Sequence, residues 1–307
     1  MFKPRESAIQ NIALISILCG LVGGLSLITS FLTISGPLIS LFVPLVSIAA
    51  ALYCRYRFYP VFITAAIGIS LVAGLSNISN VIFFIIPAIF TGALYGFTAR
   101  KGFIPALGIL SASILLAAFE VLSLYIIKWT TGVDIIITVL DIFNYEMNSI
   151  IIMILPLIFL VFGLMQFTLS YIIIHRQITI FQSRLPIKRN VKRVFEIIVG
   201  IMTILIISLM FFIPSAAFAA LGILIYSGSY LCYSLFKVNR MATIIALFTS
   251  IIVSIILFSC LFGVIPIHYA VHFFGIPAAL LAVLNLMTPR IIKPKFYNEQ
   301  PSIEEIQ

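Results

Sequence analysis

Charged residues are scarce in this sequence, at 9% of its 307 residues, whereas hydrophobic residues reach 63%. So few charged side chains cannot cover the surface of a soluble globule. The mean hydropathy, +1.26, agrees with this exclusion. The apolar stretches are continuous and do not alternate, which excludes the strands of a membrane barrel and favours helices that cross a bilayer. We therefore expect an integral membrane protein of the all-α class, a polytopic bundle of transmembrane helices.

Cysteine is also rare, and the four cysteines have no paired spacing typical of zinc or redox sites. A phosphate-binding loop is absent, because "ARKGF" at 99–103 lacks the necessary glycine spacing. No Ser/His/Asp set or nucleophile elbow can be assembled either. We therefore expect no enzymatic activity and no cofactor. The cysteines are Cys19, Cys54, Cys232 and Cys260.

Ten apolar segments of helical length follow one another along the chain. The first follows a charged start without a convincing cleavage site, so we interpret it as a retained helix and not as a signal peptide. The second, third and fourth are short, and the pairs that flank "ISGP" and "NISN" are either full spans or re-entrant hairpins, which leaves eight to ten spans. The segments are roughly 11–33, 37–53, 60–76, 81–98, 103–127, 149–175, 194–213, 215–236, 241–265 and 268–288.

The basic residues predict how these helices are oriented. Lys and Arg concentrate in the cytoplasmic loops of membrane proteins. If alternate connections are placed inside, all of the 18 basic residues except Lys128 lie on the cytoplasmic side. This arrangement favours ten helices with both termini in the cytoplasm of a multi-pass protein of the bacterial plasma membrane. The net charge of +9 is then a topology signal, and we expect no nucleic-acid partner.

One long basic connection, "RQITIFQSRLPIKRNVKR", divides the chain and contains no acidic residue. We predict a six-helix bundle at 1–175, this cytoplasmic loop at 176–193, a four-helix bundle at 194–288 and a cytoplasmic tail at 289–307. The loop charges either contact anionic headgroups and set the topology or form a docking site for a cytoplasmic partner. The residues concerned are Arg184, Lys188, Arg189, Lys192 and Arg193.

A single carboxylate interrupts the fifth segment, in "LLAAFEVLSLYII" at 115–127. Glu120 lies roughly 25 Å along a helix that begins near Phe103, about two turns before Lys128. At this depth an acid is expected to face the bundle interior or a water-filled cavity. It is either a ligand-contacting or proton-titrating group, or an acid whose hydrogen bonds are satisfied by neighbouring helices or by Lys128.

More polar groups are predicted on the same, outer side. Asn77 and Asn80 in "SNISN" suit a tight turn or a pocket. Residues 134–148, if helical, form one polar stripe and are either a lid over an outer-facing cavity or an interfacial helix that spans a gap. The stripe consists of Asp134, Thr138, Asp141, Tyr145 and Asn148. The candidate ligand-binding residues are Glu120, Asn77, Asn80, Asp134 and Asp141.

Two spacings of four residues indicate other contacts. Ser16, Gly20 and Gly24 share one face of the first helix, where small residues let a second helix approach closely. That second helix belongs either to the same bundle or to a partner subunit. His268 and His272 would share a helical face and are weak candidates for a metal site. Because no third ligand is obvious, we predict no bound metal.

Several stretches carry a family resemblance. They are the small-residue first helix, "ISGPLISLFVPLVSIAAALYCRYRFYP", "GALYGFTARKGF" and the closing "GIPAALLAVLNLMTPR". In these features the chain resembles the YybS-like family of bacterial polytopic membrane proteins. The first six helices are distantly similar to the substrate-binding subunits of energy-coupling-factor vitamin transporters. This resemblance implies an outer-facing pocket and a small-residue face for a coupling subunit, although the alanine-rich pattern usual there is absent and four further helices follow.

These observations predict a transporter-like membrane component that binds a small molecule in an outer-facing pocket. No energy source is encoded, so active transport would require a partner ATPase or an ion gradient. The alternative is a non-transporting scaffold or regulator of the bacterial envelope, acting through the basic loop and the small face of the first helix. Expected partners are the lipid bilayer, a small molecule, and membrane or cytoplasmic subunits.

Overall fold

The fold is helical throughout the part of the chain that the structure describes. The computed structural model describes residues 7–32, 36–101, 103–132, 134–137, 149–180, 191–236, 240–261 and 264–291. Within these ranges there is no strand. The predicted all-α class is therefore confirmed. The chain divides into two compact units, Met1–Arg189 and Asn190–Gln307.

The first unit contains two long helices near its end and a series of shorter ones before them. Proline occupies the first turn of α3, α4, α6 and α7. At the start of α7, after the extended residue Ile104, its missing amide costs no hydrogen bond. The helices are α1 (Ala8–Phe31), α2 (Gly36–Ser40), α3 (Val43–Tyr53), α4 (Tyr59–Ala73), α5 (Ile78–Asn80), α6 (Ile86–Arg100), α7 (Pro105–Thr131) and α8 (Ser149–Ile180).

The connection between α4 and α6 differs from the turn predicted at "NISN". The chain turns at Gly74, whose amide caps α4, and continues through a 3-10 turn, Leu75–Asn77. After α5 comes a π turn, Val81–Ile85, which widens the helix by one residue. The fourth predicted segment therefore becomes helical before residue 81, since Leu75–Arg100 forms one helical stretch.

Helices α3 and α6 approach each other closely in the first unit. A Cβ added to Gly92 would lie 2.8 Å from the Cα of Pro44, and one added to Gly96 would lie 3.0 Å from the Cα of Ile48. Real side chains do not fit at such distances, so only glycine permits this contact. The two glycines are four residues apart, which is the small-xxx-small spacing of closely packed membrane helices.

The second unit has its own helices and its own packing. Helix α10 contacts α9 and α13, and α13 also contacts α11. A Cβ added to Gly228 in α10 would lie 2.9 Å from the Cα of Ala278 in α13. The helices are α9 (Val191–Leu209), α10 (Pro214–Phe236), α11 (Arg240–Leu261), α12 (Ile267–Ala270) and α13 (Ile276–Ile291), with a 3-10 turn, Val271–Gly275, between the last two.

Six helical stretches of the described residues are long and apolar enough to cross a membrane. They make this a membrane-embedded protein. The count of about ten spans and the cytoplasmic position of both termini stay predictions. The six stretches are Ala8–Phe31, Tyr56–Ala73, Leu75–Arg100, Pro105–Thr131, Ile152–Ile174 and Pro214–Phe236, and shorter apolar helices occur at Leu38–Tyr53, Thr243–Leu257 and Val271–Leu284.

Helices extend into both ends of the predicted basic loop at 176–193. Helix α8 continues to Ile180, and α9 begins at Val191. Lys192 and Arg193 therefore lie in the first turn of α9, and Lys192 Nζ is 3.9 Å from the carboxylate of Glu196. The other residues of the predicted docking site lie outside the described part of the chain, as does most of the predicted tail. These residues are Arg184, Lys188 and Arg189.

Candidate ligand-binding site

Glu120 lies on the buried face of α7, and only 1% of its surface is exposed. Neither of its carboxylate oxygens has a hydrogen-bond partner among the described residues. Most buried polar groups in folded proteins do have one, because an unsatisfied group loses its hydration without compensation. This carboxyl group therefore requires an explanation. The buried face repeats at intervals of three and four residues and includes Ser113, Leu116, Glu120, Ser123, Leu124 and Ile127.

The residues on either side of Glu120 show what its helix face packs against. The Ser123 hydroxyl donates to the carbonyl of Ile82 in the π turn, at 3.1 Å, and to that of Phe119, at 2.8 Å. Two turns before Glu120, Ser113 meets α8, where a Cβ added to Gly163 would lie 3.1 Å from the Cα of Ser113. The face that holds Glu120 thus packs against the π turn near one end and against α8 near the other.

Lys128, one of the partners considered for Glu120, binds a different acid. Its Nζ lies 2.8 Å from Oδ2 of Asp134. Gly132 ends α7 in the left-handed conformation, with φ 71, and its amide donates to the carbonyl of Lys128 at 3.0 Å. A left-handed residue at this position is usually glycine, which has no Cβ to clash. The turn thus brings Asp134 back to Lys128.

Asp134 also begins the helical turn at 135–137. Its Oδ1 accepts hydrogen bonds from the amides of Ile136 and Ile137, at 3.1 and 3.3 Å, as helix-capping residues do. The hydrogen bond from Lys128 lowers the pKa of the Asp134 carboxyl, and the two amide bonds act in the same direction. Both oxygens of Asp134 therefore have structural partners, which favours an ordering role over ligand binding for this residue.

A cavity of about 260 Å³ lies at this end of the first unit. Among the described residues that line it, only Ser79 and Asn80 are polar, and the remainder are aliphatic or aromatic. Phe83 and Phe159 meet edge to face, with ring centroids 5.4 Å apart. The cavity is therefore suited to an apolar body with few polar contacts. The lining includes Asn80, Phe83, Leu124, Ile135, Ile136 and Phe159.

The structure brings some of the predicted site residues together at this cavity. Asn80 lines it and donates its side-chain amide to the carbonyl of Thr29 in α1, at 3.4 Å. Asp134 begins the turn whose next two residues, Ile135 and Ile136, line the cavity. Glu120 does not line it and lies one helical turn beyond Leu124, about 6 Å along α7.

The other predicted residues of this site lie elsewhere or outside the description. Asn77 has a local role, because its side chain accepts from the amide of Asn80 at 3.3 Å and caps α5. Asp141 and the rest of the predicted lid, 138–148, lie outside the described residues. Sequence reasoning missed Phe83 and Phe159, because it singled out polar residues and an apolar lining residue has no distinctive signal within an apolar helix.

Ser16, Gly20 and Gly24 lie on an exposed face of α1. A Cβ added to either glycine would have no described atom within 4 Å. The glycine of α1 that does meet another helix is Gly23, where an added Cβ would lie 2.6 Å from Cγ2 of Ile69 in α4. Within the described residues, no helix therefore covers the predicted small-residue face, and Gly23 on the adjacent face packs against α4 instead.

The two predicted histidines are in the second unit. His272 is buried in the 3-10 turn, its ring centroid lies 4.7 Å from that of Phe218, and it lines a cavity of about 310 Å³ that also includes Thr203 and Met210. The side chain of His268 lies outside the described part. Among the residues that the structure describes, no group of three or more His, Cys, Asp or Glu residues is placed to hold a metal ion.

Comparison with known proteins adds no relative to this description. No protein-family model, curated protein or solved structure matches the chain. The resemblance to the YybS-like family therefore stays a prediction. Fold and composition define the class, a membrane-embedded helical protein.

Proposed function

We propose that this protein is a transporter-like membrane component that binds a small, largely apolar molecule carrying one cationic or hydrogen-bond-donating group. The observation that carries the proposal is Glu120, whose buried carboxyl has no hydrogen-bond partner among the described residues and lies one helical turn from an apolar cavity. A ligand ammonium or hydroxyl would supply the missing hydrogen bonds. Charge-assisted bonds of this kind are among the stronger ones in proteins.

The cavity limits the size and chemistry of such a ligand. Its volume, about 260 Å³, is just below the roughly 300–1,000 Å³ of most ligand pockets. The apolar body would lie between Phe83, Leu124 and Phe159. Its polar group would extend about 6 Å further, one helical turn, toward Glu120. Ser79 and Asn80, the polar residues of the described lining, would contact the other end of the ligand.

The turn over the cavity is the proposed entrance. Ile135 and Ile136 cover the cavity, and the Lys128–Asp134 ion pair attaches their turn to α7. Exposed ion pairs contribute little stability, so breaking this pair adds little to the free-energy cost of opening the turn. Under the topology predicted from the basic residues, the entrance faces the outside of the cell. Transport across the membrane would then require a partner ATPase or an ion gradient.

Thermal unfolding of the purified full chain tests this function. The probes are a series of small apolar primary amines together with the alcohols and carboxylic acids of the same skeletons. A ligand that binds only the folded state raises the melting temperature. We expect amines to raise it, alcohols to raise it less and acids to have no effect.

Substitutions at Glu120 connect that result to the site. Glu120→Gln should reduce the amine effect, and Glu120→Leu should remove it. Glu196→Gln in the second unit is the matched control and should keep the full response. If both Glu120 variants respond to amines as the unmodified protein does, the proposed site is wrong.

A second candidate function, a scaffold or regulator, is supported by the open face of α1. We propose that a transmembrane helix of a partner protein packs on Ser16, Gly20 and Gly24, since small residues allow close approach of helices. Gly20→Leu and Gly24→Leu should then prevent co-isolation of the partner without lowering the stability of the isolated chain. Partner recovery that is unchanged by both substitutions would exclude this face.

A further inference from the structure

An open groove of about 420 Å³ runs between α4, α6 and α7 in the first unit. It shares no lining residue with the cavity near Glu120. Among the described residues that line it, only Tyr59 and Thr91 carry a hydroxyl group. The Thr91 hydroxyl donates to the carbonyl of Pro87 at 2.7 Å. The stacked rings of Phe90 and Phe119, 6.0 Å apart, form one part of the groove. The groove walls are therefore apolar along their length.

Two cations contact the residues at one end of this groove. Tyr59 and Phe97 meet edge to face there, with ring centroids 6.2 Å apart. Arg100 Nη1 donates to the hydroxyl of Tyr59 at 3.0 Å, and Lys101 Nζ lies 4.3 Å from the centroid of the Phe97 ring. The groove thus ends beside two positive charges that are adjacent in sequence.

These charges have no acidic partner in the described part of the chain. Arg100 binds uncharged acceptors, including the carbonyl of Cys54 at 2.7 Å. Lys101 is exposed, and its side-chain ammonium lies over the Phe97 ring. The described ion pairs involve Lys128 and Lys192 instead. An anion beside Arg100 and Lys101 would balance a local charge that the described residues leave uncompensated.

We propose that this groove binds one anionic phospholipid, with the headgroup phosphate against Arg100 and Lys101 and an acyl chain along the apolar walls. The ends of the groove at Phe97 and Phe90 are seven residues apart on α6, so about 10 Å of acyl chain would be held. Basic pockets between membrane helices bind anionic headgroups by the same combination of charge and apolar contact. A free phosphate would use only the charged end, whereas a phospholipid uses both.

Native mass spectrometry of the full chain in detergent tests this site. The probes are phosphatidylglycerol and phosphatidylcholine with identical acyl chains. We expect one phosphatidylglycerol to be retained in preference to phosphatidylcholine. Lys101→Gln should weaken phosphatidylglycerol retention by about fivefold, the factor expected from losing one cation beside an anionic headgroup. Lys101→Arg should preserve it.

Two further variants separate the charged end from the apolar walls. Leu94→Trp fills the groove at an exposed position and should reduce retention of both lipids. Lys128→Gln removes a lysine at the far end of α7 and should change neither. Equal retention of the two lipids, or phosphatidylglycerol retention unaffected by Lys101→Gln, would overturn the headgroup contact. Retention unaffected by Leu94→Trp would overturn the acyl contact.

Discussion

Lys128 and Asp134 are joined across the left-handed turn at Gly132, with Nζ 2.8 Å from Oδ2. Lys128 lies two turns from Glu120 on the same helix, and its ammonium group is paired with Asp134 instead. It therefore gives the two acids different environments. Asp134 orders the turn over the cavity, whereas Glu120 is buried without a described hydrogen-bond partner.

The Asp134 carboxyl should titrate below its ordinary range. The hydrogen bond from Lys128 lowers its pKa, so the pair contributes stability that is fully present above the unfolded pKa, roughly 3.9. That contribution is lost as the pH falls through the lower, folded pKa. A titration followed by the side-chain ¹³C resonance of Asp134 should have its midpoint below the ordinary aspartate value, and Lys128→Gln should move it upward. A midpoint unchanged by Lys128→Gln would contradict the ion pair.

Replacing Glu120 with leucine should stabilise the ligand-free protein. The substitution removes a buried polar group without a described partner, and leucine has a similar size. We expect the free energy of unfolding to rise by about 1–3 kcal/mol, measured by denaturant unfolding in detergent. Ser123→Ala is the contrasting control, because it loses the hydrogen bond to Ile82 and should destabilise by about 1 kcal/mol. Destabilisation by Glu120→Leu would indicate that the carboxyl has a structural role.

Gly92 and Gly24 should respond in opposite ways to replacement by alanine. Gly92→Ala forces α3 and α6 apart, since its Cβ would lie 2.8 Å from backbone of Pro44. Overpacking of this kind costs about 1–3 kcal/mol. Gly24→Ala meets no described atom within 4 Å and should raise the free energy of unfolding by up to about 1 kcal/mol, because alanine favours a helix more than glycine does. Equal effects of the two substitutions would mean that the α3–α6 contact is looser than described.

Arg100 should stabilise the first unit even without lipid. Its guanidinium binds the carbonyl of Cys54, just after the end of α3, and the hydroxyl of Tyr59 at the start of α4. Arg100→Leu should lower the free energy of unfolding by about 1.5–3 kcal/mol, as for hydrogen bonds to charged groups. Lys101→Gln in lipid-free detergent should have no such effect. Similar losses for both variants would exclude a specific role for Arg100.

The helices were largely predictable because a bilayer leaves few alternatives to long apolar helices. Their contacts were less so. Gly20 and Gly24 have the same spacing as Gly92 and Gly96, but only the second pair packs against another helix among the described residues. Spacing shows that two small residues share a helix face. It does not show which face another helix covers, since both faces are equally apolar.

The candidate site was predictable in part for a similar reason. Position along α7 identified Glu120 as a buried acid, and turn chemistry identified Asn80, whereas Asn77 caps α5 and does not line the cavity. The partner of Lys128 was not predictable, because it depends on the left-handed turn at Gly132. No sequence pattern shows whether Lys128 pairs with Glu120 or with Asp134.

The π turn at Val81–Ile85 fixes the register of the cavity. A π turn contains one residue more than an α turn, so it acts as a built-in insertion between Asn80 and α6. Deleting a single residue there would restore regular α-helix and rotate everything before it by about 100° relative to α6. Asn80 would then turn away from the cavity, while the contact of Gly92 with α3 would stay in place. The additional residue therefore lets Asn80 face the cavity and Gly92 face α3 at the same time.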